Sequence, residues 1–103
     1  MTFVFHLLDR AGVGELRQRV RPEHKAYLAA VADRIAFAGP LTSDDGQTMV
    51  GSLLAIDFPD RAAADRSLTD EPFTRAVVYR MALVLPFVNL WPRRAGCATA
   101  LAP

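Results

Sequence analysis

The sequence holds a single cysteine, Cys97, so no disulfide can form within the chain and no zinc site built from several cysteines is available. Histidine is almost as scarce. His6 and His24 are the only two, and neither stands in a His-x-x-x-His or Glu-x-x-His spacing. Glycine-rich phosphate loops are missing too, because Gly12 and Gly14 precede a helical segment without the rest of a nucleotide-binding fingerprint. The expectation is therefore no metal and no cofactor. No apolar run approaches the roughly 20 residues that span a bilayer. The opening Met-Thr-Phe-Val-Phe-His lacks the basic start and apolar core of a signal peptide. These absences lead us to expect a soluble, cytoplasmic protein with no membrane partner. Charge of one sign is not in excess either, with 12 basic and 11 acidic side chains. Arg17, Arg19 and Arg21 cluster, but acidic residues flank them, which argues against nucleic-acid binding.

What is present is apolar. The chain has 103 residues, one domain's worth, and 51% of them are hydrophobic, enough for a core. Phe3 to Leu8 reads as a strand with two apolar faces: Phe3, Phe5 and Leu7 on one, Val4, His6 and Leu8 on the other. Glu15 to Arg34 is helical in character, but Pro22 interrupts it. Proline costs little at a first helical position, so the spacing predicts a short lead-in and a main helix starting near Pro22. His24, Tyr27, Leu28, Val31 and Ile35 then fall on one face, with Glu23, Lys25 and Arg34 off it. Ile35 to Ala38 reads as a short strand ended by Gly39-Pro40, and Thr42 to Gly46 as a hairpin turn. Met49 to Phe58 is the next strand. Arg61 to Leu68 is a helix capped by Asp60, Thr69 to Phe73 opens another helical turn with Pro72 just inside it, and Val77 to Val88 is the last strand. In that strand Tyr79, Met81, Leu83, Leu85 and Phe87 share one face, while Val78, Ala82 and Val84 lie on the other beside Arg80.

The order is βαββαβ. The expected fold is α+β and ferredoxin-like: a four-stranded antiparallel sheet over residues 1–92, both helices on one face, and a loose tail over 93–103. Two helices on one face leave the other apolar face open. A second copy packed sheet to sheet is the simplest cover, so a homodimer is expected through the open sheet face.

Short motifs then carry a family resemblance. Asp9-Arg10 ends the first strand, and Arg21-Pro22-Glu23-His24 and Tyr27-Leu28 follow. Ala38-Gly39-Pro40-Leu41, Gly51-Ser52, Glu71-Pro72-Phe73 and Pro86-Phe87 come after, in that order. The series resembles the YCII-related family over roughly residues 1 to 91, a normal extent for a single domain. The resemblance implies a dimeric α/β barrel, similar in architecture to muconolactone isomerase. It also implies a site around the histidine of the Arg-Pro-x-His motif, here His24, acting with a carboxylate. Relatives often carry an aspartate in an Asp-Pro-Phe or Asp-Pro-Tyr motif; this chain has Glu71 in its place, and Val77 where relatives often carry glycine. One characterised type resembles a dehydrochlorinase of aromatic degradation, which points to elimination or isomerisation on a small molecule.

His24 is the first catalytic candidate, since imidazole exchanges protons near neutrality. One turn into the expected helix, its ring would be kept neutral by the helix N-terminus. The alternative is a buried histidine bonded to a carbonyl. Glu71 is the second candidate, orienting His24 or acting as an acid, against a reading as helix cap in which Asp70 could substitute. Substrate-binding candidates are Asp9 and Ser52 at strand ends, Gly39 and Pro40 as a bulge or turn in a cavity wall, and Arg80 as a clamp for a ligand carboxylate. Asp9 is equally a turn former, Gly51-Ser52 a mark of close backbone approach, and Arg80 a rim residue. His6 reads as a core or interface group. Ser52 or backbone N–H groups could hold a developing oxyanion. Two functions follow: an enzyme with His24 as general base, or a non-catalytic small-molecule-binding or dimerisation module. A purely structural subunit is the third.

Overall fold

The structure, a computed structural model, describes residues 1–91. The tail expected to be loose, 93–103, lies outside the described residues. Strand β1 (Thr2–Asp9) is followed by α1 (Gly14–Ala29), a 3-10 turn at Ala32–Arg34, and strands β2 (Ile35–Thr42) and β3 (Met49–Asp57). Helix α2 (Arg61–Asp70), the one-turn α3 (Pro72–Arg75) and β4 (Tyr79–Phe87) complete the order. The strands form one antiparallel sheet in the order β2-β3-β1-β4. The expected α+β, ferredoxin-like architecture holds. Among the described residues no helix is long and apolar enough to cross a membrane.

Register decides which side chains meet. Phe3 pairs with Ile56, and Phe5 with both Leu54 and Val84, so these residues share one face with Leu7. All are buried, and Leu28 of α1 and Ala63, Ala64 and Leu68 of α2 pack onto them. Burying side chains of this size stabilises by about 1.5–3 kcal/mol each. Asp60 caps α2 by accepting from the Ala63 N–H at 2.8 Å.

Three expectations fail. Helix α1 does not start at Pro22; it begins at Gly14 and runs through the proline. Pro22 offers no N–H to the carbonyl four residues back, a defect of about 3 kcal/mol. Buried side chains on either side compensate, Arg17 bonding Asp9 and His24 bonding Glu71. The helix also stops before Arg34, so Ile35 belongs to β2 rather than to the helical stripe. Gly39-Pro40, in turn, do not end β2. They pair in ordinary register with Leu53 and Ser52. Proline is tolerated there because β2 is an edge strand.

The other face of the sheet carries Phe37, Leu83, Leu85 and Phe87, all large, apolar and exposed in the single chain. Phe37 and Phe87 meet edge to face with centroids 6.4 Å apart. Half-buried Val4, His6 and Leu8 of β1 lie between the outer strands.

Candidate functional site

Helix α1 brings two polar side chains to the covered side of the sheet. Arg17 and His24 are seven residues apart, two turns, and are the buried residues of that helix. Each is held from behind by a carboxylate. Nη1 of Arg17 donates to both oxygens of Asp9 at 2.9 Å, and Nη2 donates to the Gly51 carbonyl at 3.1 Å and to Ser52 Oγ at 3.0 Å. The ion pair is almost wholly removed from water, both side chains being 6% exposed. Burial pushes the Asp9 carboxyl above the ordinary carboxylate range, and the Arg17 charge and hydrogen bonds oppose that rise without cancelling it.

His24 Nδ1 hydrogen-bonds Glu71 Oε1. The other Glu71 oxygen accepts from the Thr74 N–H at 3.2 Å. Glu71 is thus the N-cap of α3 and the partner of His24 at once, with Pro72 at the first helical position. One side chain thus makes both the contact to His24 and the cap of α3, and Asp70 takes no part in capping α3. A carboxylate whose two oxygens both accept sets the histidine proton on Nδ1 and leaves Nε2 as the accepting nitrogen. The helix N-terminus plays no role in this, because His24 is the eleventh residue of a helix that starts at Gly14.

These groups border a cavity of about 190 Å³, walled by His24, Arg17, Phe73, Ser52, Leu54 and Leu28 on the inside and by Gly39, Pro40, Ala38 and Met49 on the β2–β3 side. Arg21 and Lys25 stand on the α1 side. A dry cavity of about 150 Å³ accepts benzene, so this one is the size for a single ring. Asp9 and Glu71 stay behind the wall, bonded to Arg17 and His24. Gly51 has no room for a side chain: a Cβ there would lie 2.2 Å from the Leu7 carbonyl oxygen. The glycine therefore marks close approach of β1 and β3, the structural reading of Gly51-Ser52, while Ser52 itself faces the cavity.

Arg80 does not reach this cavity. Leu8 pairs with Met81 and Asp9 with Tyr79, so Arg80 is the extra residue of a β-bulge. It is exposed and lines a separate cleft with Val77 and Thr74. The same bulge turns Tyr79 away from the Met81 face expected by alternation and against the core. Its hydroxyl is buried without a hydrogen-bond partner among the described residues. Burial, and then the nearby Glu71 charge, push that phenol well above its ordinary value of 10.0. His6 lies on the open sheet face and is not part of the wall.

Sequence reasoning missed Arg17, Arg21, Lys25 and Phe73 as residues of the cavity wall. The signal for Arg17 was present: it is two turns before His24 once the helix is allowed to continue through Pro22. Lys25, read as off the stripe, lies on the cavity side because the cavity borders the flank of α1 rather than its core face.

The sequence model of the YCII-related domain matches residues 1–88. The chain belongs to that family. The solved structure of 5-chloro-2-hydroxyhydroquinone dehydrochlorinase from Burkholderia phenoliruptrix AC1100, in complex with 2,5-dihydroxybenzoquinone, superposes with a TM-score of 0.80. The two sequences are 26% identical, over 85% of this chain and 94% of the dehydrochlorinase. An antibiotic biosynthesis monooxygenase aligns at 15% identity with a TM-score of 0.48, covering 84% of this chain and 97% of its own. Among curated protein sequences none matches.

Proposed function

We propose that the chain is a cofactor-independent enzyme of the lyase or isomerase kind, acting on a one-ring substrate with His24 as general base. The observation that carries this reading is the His24–Glu71 hydrogen bond at the wall of a ring-sized cavity. Glu71 holds the imidazole in the tautomer whose Nε2 can accept a proton. When His24 takes that proton, the electron pair left on the ring forms a new double bond and expels a leaving group as an anion, or is delocalised until Nε2 returns the proton to another carbon. In this reading the Ser52 hydroxyl donates to oxygen charge that develops on the ring, and the Arg17 charge behind it adds to the field. The dehydrochlorinase similarity favours the elimination form.

We also propose that the working unit is a homodimer through the open sheet face. Phe37, Leu83, Leu85 and Phe87 support it, since a contiguous apolar patch of this kind needs cover and a twofold copy supplies the same patch. Leu85→Asp should convert the dimer to monomer in light scattering. A monomeric wild type would overturn the dimer.

The activity test is chloride release from 5-chloro-2-hydroxyhydroquinone. Wild type should release it, and His24→Gln should slow release by a factor of roughly 10²–10⁴. Glutamine is the better probe than alanine because it leaves a donor near the buried Glu71. Equal rates in wild type and His24→Gln would remove His24 from the mechanism. Tight binding of the compound without turnover would favour a non-catalytic binding module instead.

A further inference from the structure

We infer that the cavity selects anionic ring substrates, and that Arg21 and Lys25 on α1 set this preference. The inference deepens the enzyme reading and rests on its ring-sized cavity. Three basic side chains, Arg17, Arg21 and Lys25, border the cavity together with His24, and no aspartate or glutamate is among the lining residues. Arg17 is paired with Asp9, and Glu71, bonded to a neutral His24, leaves one negative charge behind the wall against the two cations Arg21 and Lys25. Arg21 and Lys25 are different, because neither takes part in an ion pair among the described residues. Residues 92–103 contain no acidic side chain that could neutralise them.

Their positions follow from the helix. Arg17, Arg21 and Lys25 are spaced four apart along α1, which puts them in a row on one flank. Arg17 is buried at the inner end, Arg21 half-buried, and Lys25 exposed. The row runs from closed wall to open water and grades from paired to unpaired charge. Low-dielectric apolar walls such as Phe73, Leu54 and Leu28 concentrate the field of such a row inside the cavity. A carboxylate, phenolate or enolate on a single ring gains from that field, and an uncharged ring of the same shape does not. Arg21 is also the arginine that precedes Pro22, so the proline fixes where its backbone sits without removing a donor from it.

Benzoate and benzamide are the probes, alike in shape and different in charge, with binding measured by isothermal titration. Benzoate should bind wild type at least tenfold more tightly than benzamide. In the double variant Arg21→Gln, Lys25→Gln that ratio should fall to about threefold or less, through loss of benzoate affinity. Raising the salt from 0.05 to 0.5 M should weaken benzoate alone. Lys25→Glu, at an exposed position where folding is undisturbed, should lower the ratio independently. Benzamide binding as tightly as benzoate, failure of benzoate to bind, or a ratio that survives both variants would each overturn the inference. Chloride release that depends on His24 but tolerates both variants would keep the enzyme reading and discard anion selection.

Discussion

The imidazole of His24 lies flat against the ring of Phe73, with centroids 4.1 Å apart and planes 16° from parallel. The Arg17 guanidinium carbon is 4.7 Å from the centroid of the same ring. One fully buried phenyl group therefore touches both polar groups that α1 brings to the cavity. Phe73 belongs to α3, so the geometry of the site depends on that one-turn helix. Glu71 caps it, and Val77 closes it.

Glu71 has two tasks, and removing it should cost both. Glu71→Ala deletes the acceptor for the Thr74 N–H and leaves the buried His24 Nδ1–H unpaired. A lost cap is worth about 1 kcal/mol and an orphaned buried donor about 1–3 kcal/mol. The melting temperature should fall by at least about 8 °C. Glu71→Gln keeps an oxygen acceptor and should lose roughly half as much. Equal melting temperatures for the alanine variant and wild type would show that the bond to His24 does not stabilise the fold.

Val77 has φ at 61°, in the left-handed region where a β-branched residue is strained. It follows α3 as the turn residue of a Schellman motif: Val78 N–H donates to the Phe73 carbonyl and Val77 N–H to that of Thr74, both at 3.0 Å. Glycine is the residue such a turn favours. Val77→Gly should therefore stabilise, because relief of about 1–2 kcal/mol of strain exceeds the extra freedom of the unfolded chain. Val77 is also 57% exposed, so little packing is lost. We expect a rise of about 4 °C or more in thermal unfolding. A fall would mean that the valine methyl groups contribute contacts that outweigh the strain.

Tyr79 should give the fold an alkaline limit. Its phenol is raised by burial and by Glu71, so the folded state holds the proton more tightly than the unfolded chain does. The associated stability is fully present below about pH 10 and is lost as the pH climbs beyond it. Tyr79→Phe removes the hydroxyl that has no partner, so at pH 7 it should be neutral or mildly stabilising. Between pH 8 and 11 the variant should lose less stability to denaturant than wild type. Parallel losses in the two proteins would assign the alkaline limb to another group.

The architecture was legible because both strand faces and helix stripes are written in side-chain size: Phe3-Phe5-Leu7 against Val4-His6-Leu8 gives a strand apolar on both sides without any structure. The site was legible only in part. His24 and Glu71 stand in recognisable motifs, but Arg17 does not, and Pro22 hid the continuity that joins it to His24. Local rules end a helix or a strand at proline. Here the buried side-chain bonds of Arg17 and His24 on either side of Pro22, and the free edge beside Pro40, override them. The displacement of Arg80 was equally invisible, because a bulge changes the parity of a strand and no residue type demands it at that point.

The strand order has a consequence for how the chain is made. β1 emerges first from the ribosome, yet its two neighbours are β3, completed at Asp57, and β4, completed at Phe87. Until β3 is made, a segment apolar on each face has both edges open, and until β4 follows one edge stays unpaired. Such late, long-range pairing makes for slow folding and exposes sticky surface meanwhile. A nascent chain halted before Tyr79 would keep one edge of β1 bare, so it should be a substrate for holdase chaperones, and release of the last strand should be the event that frees it.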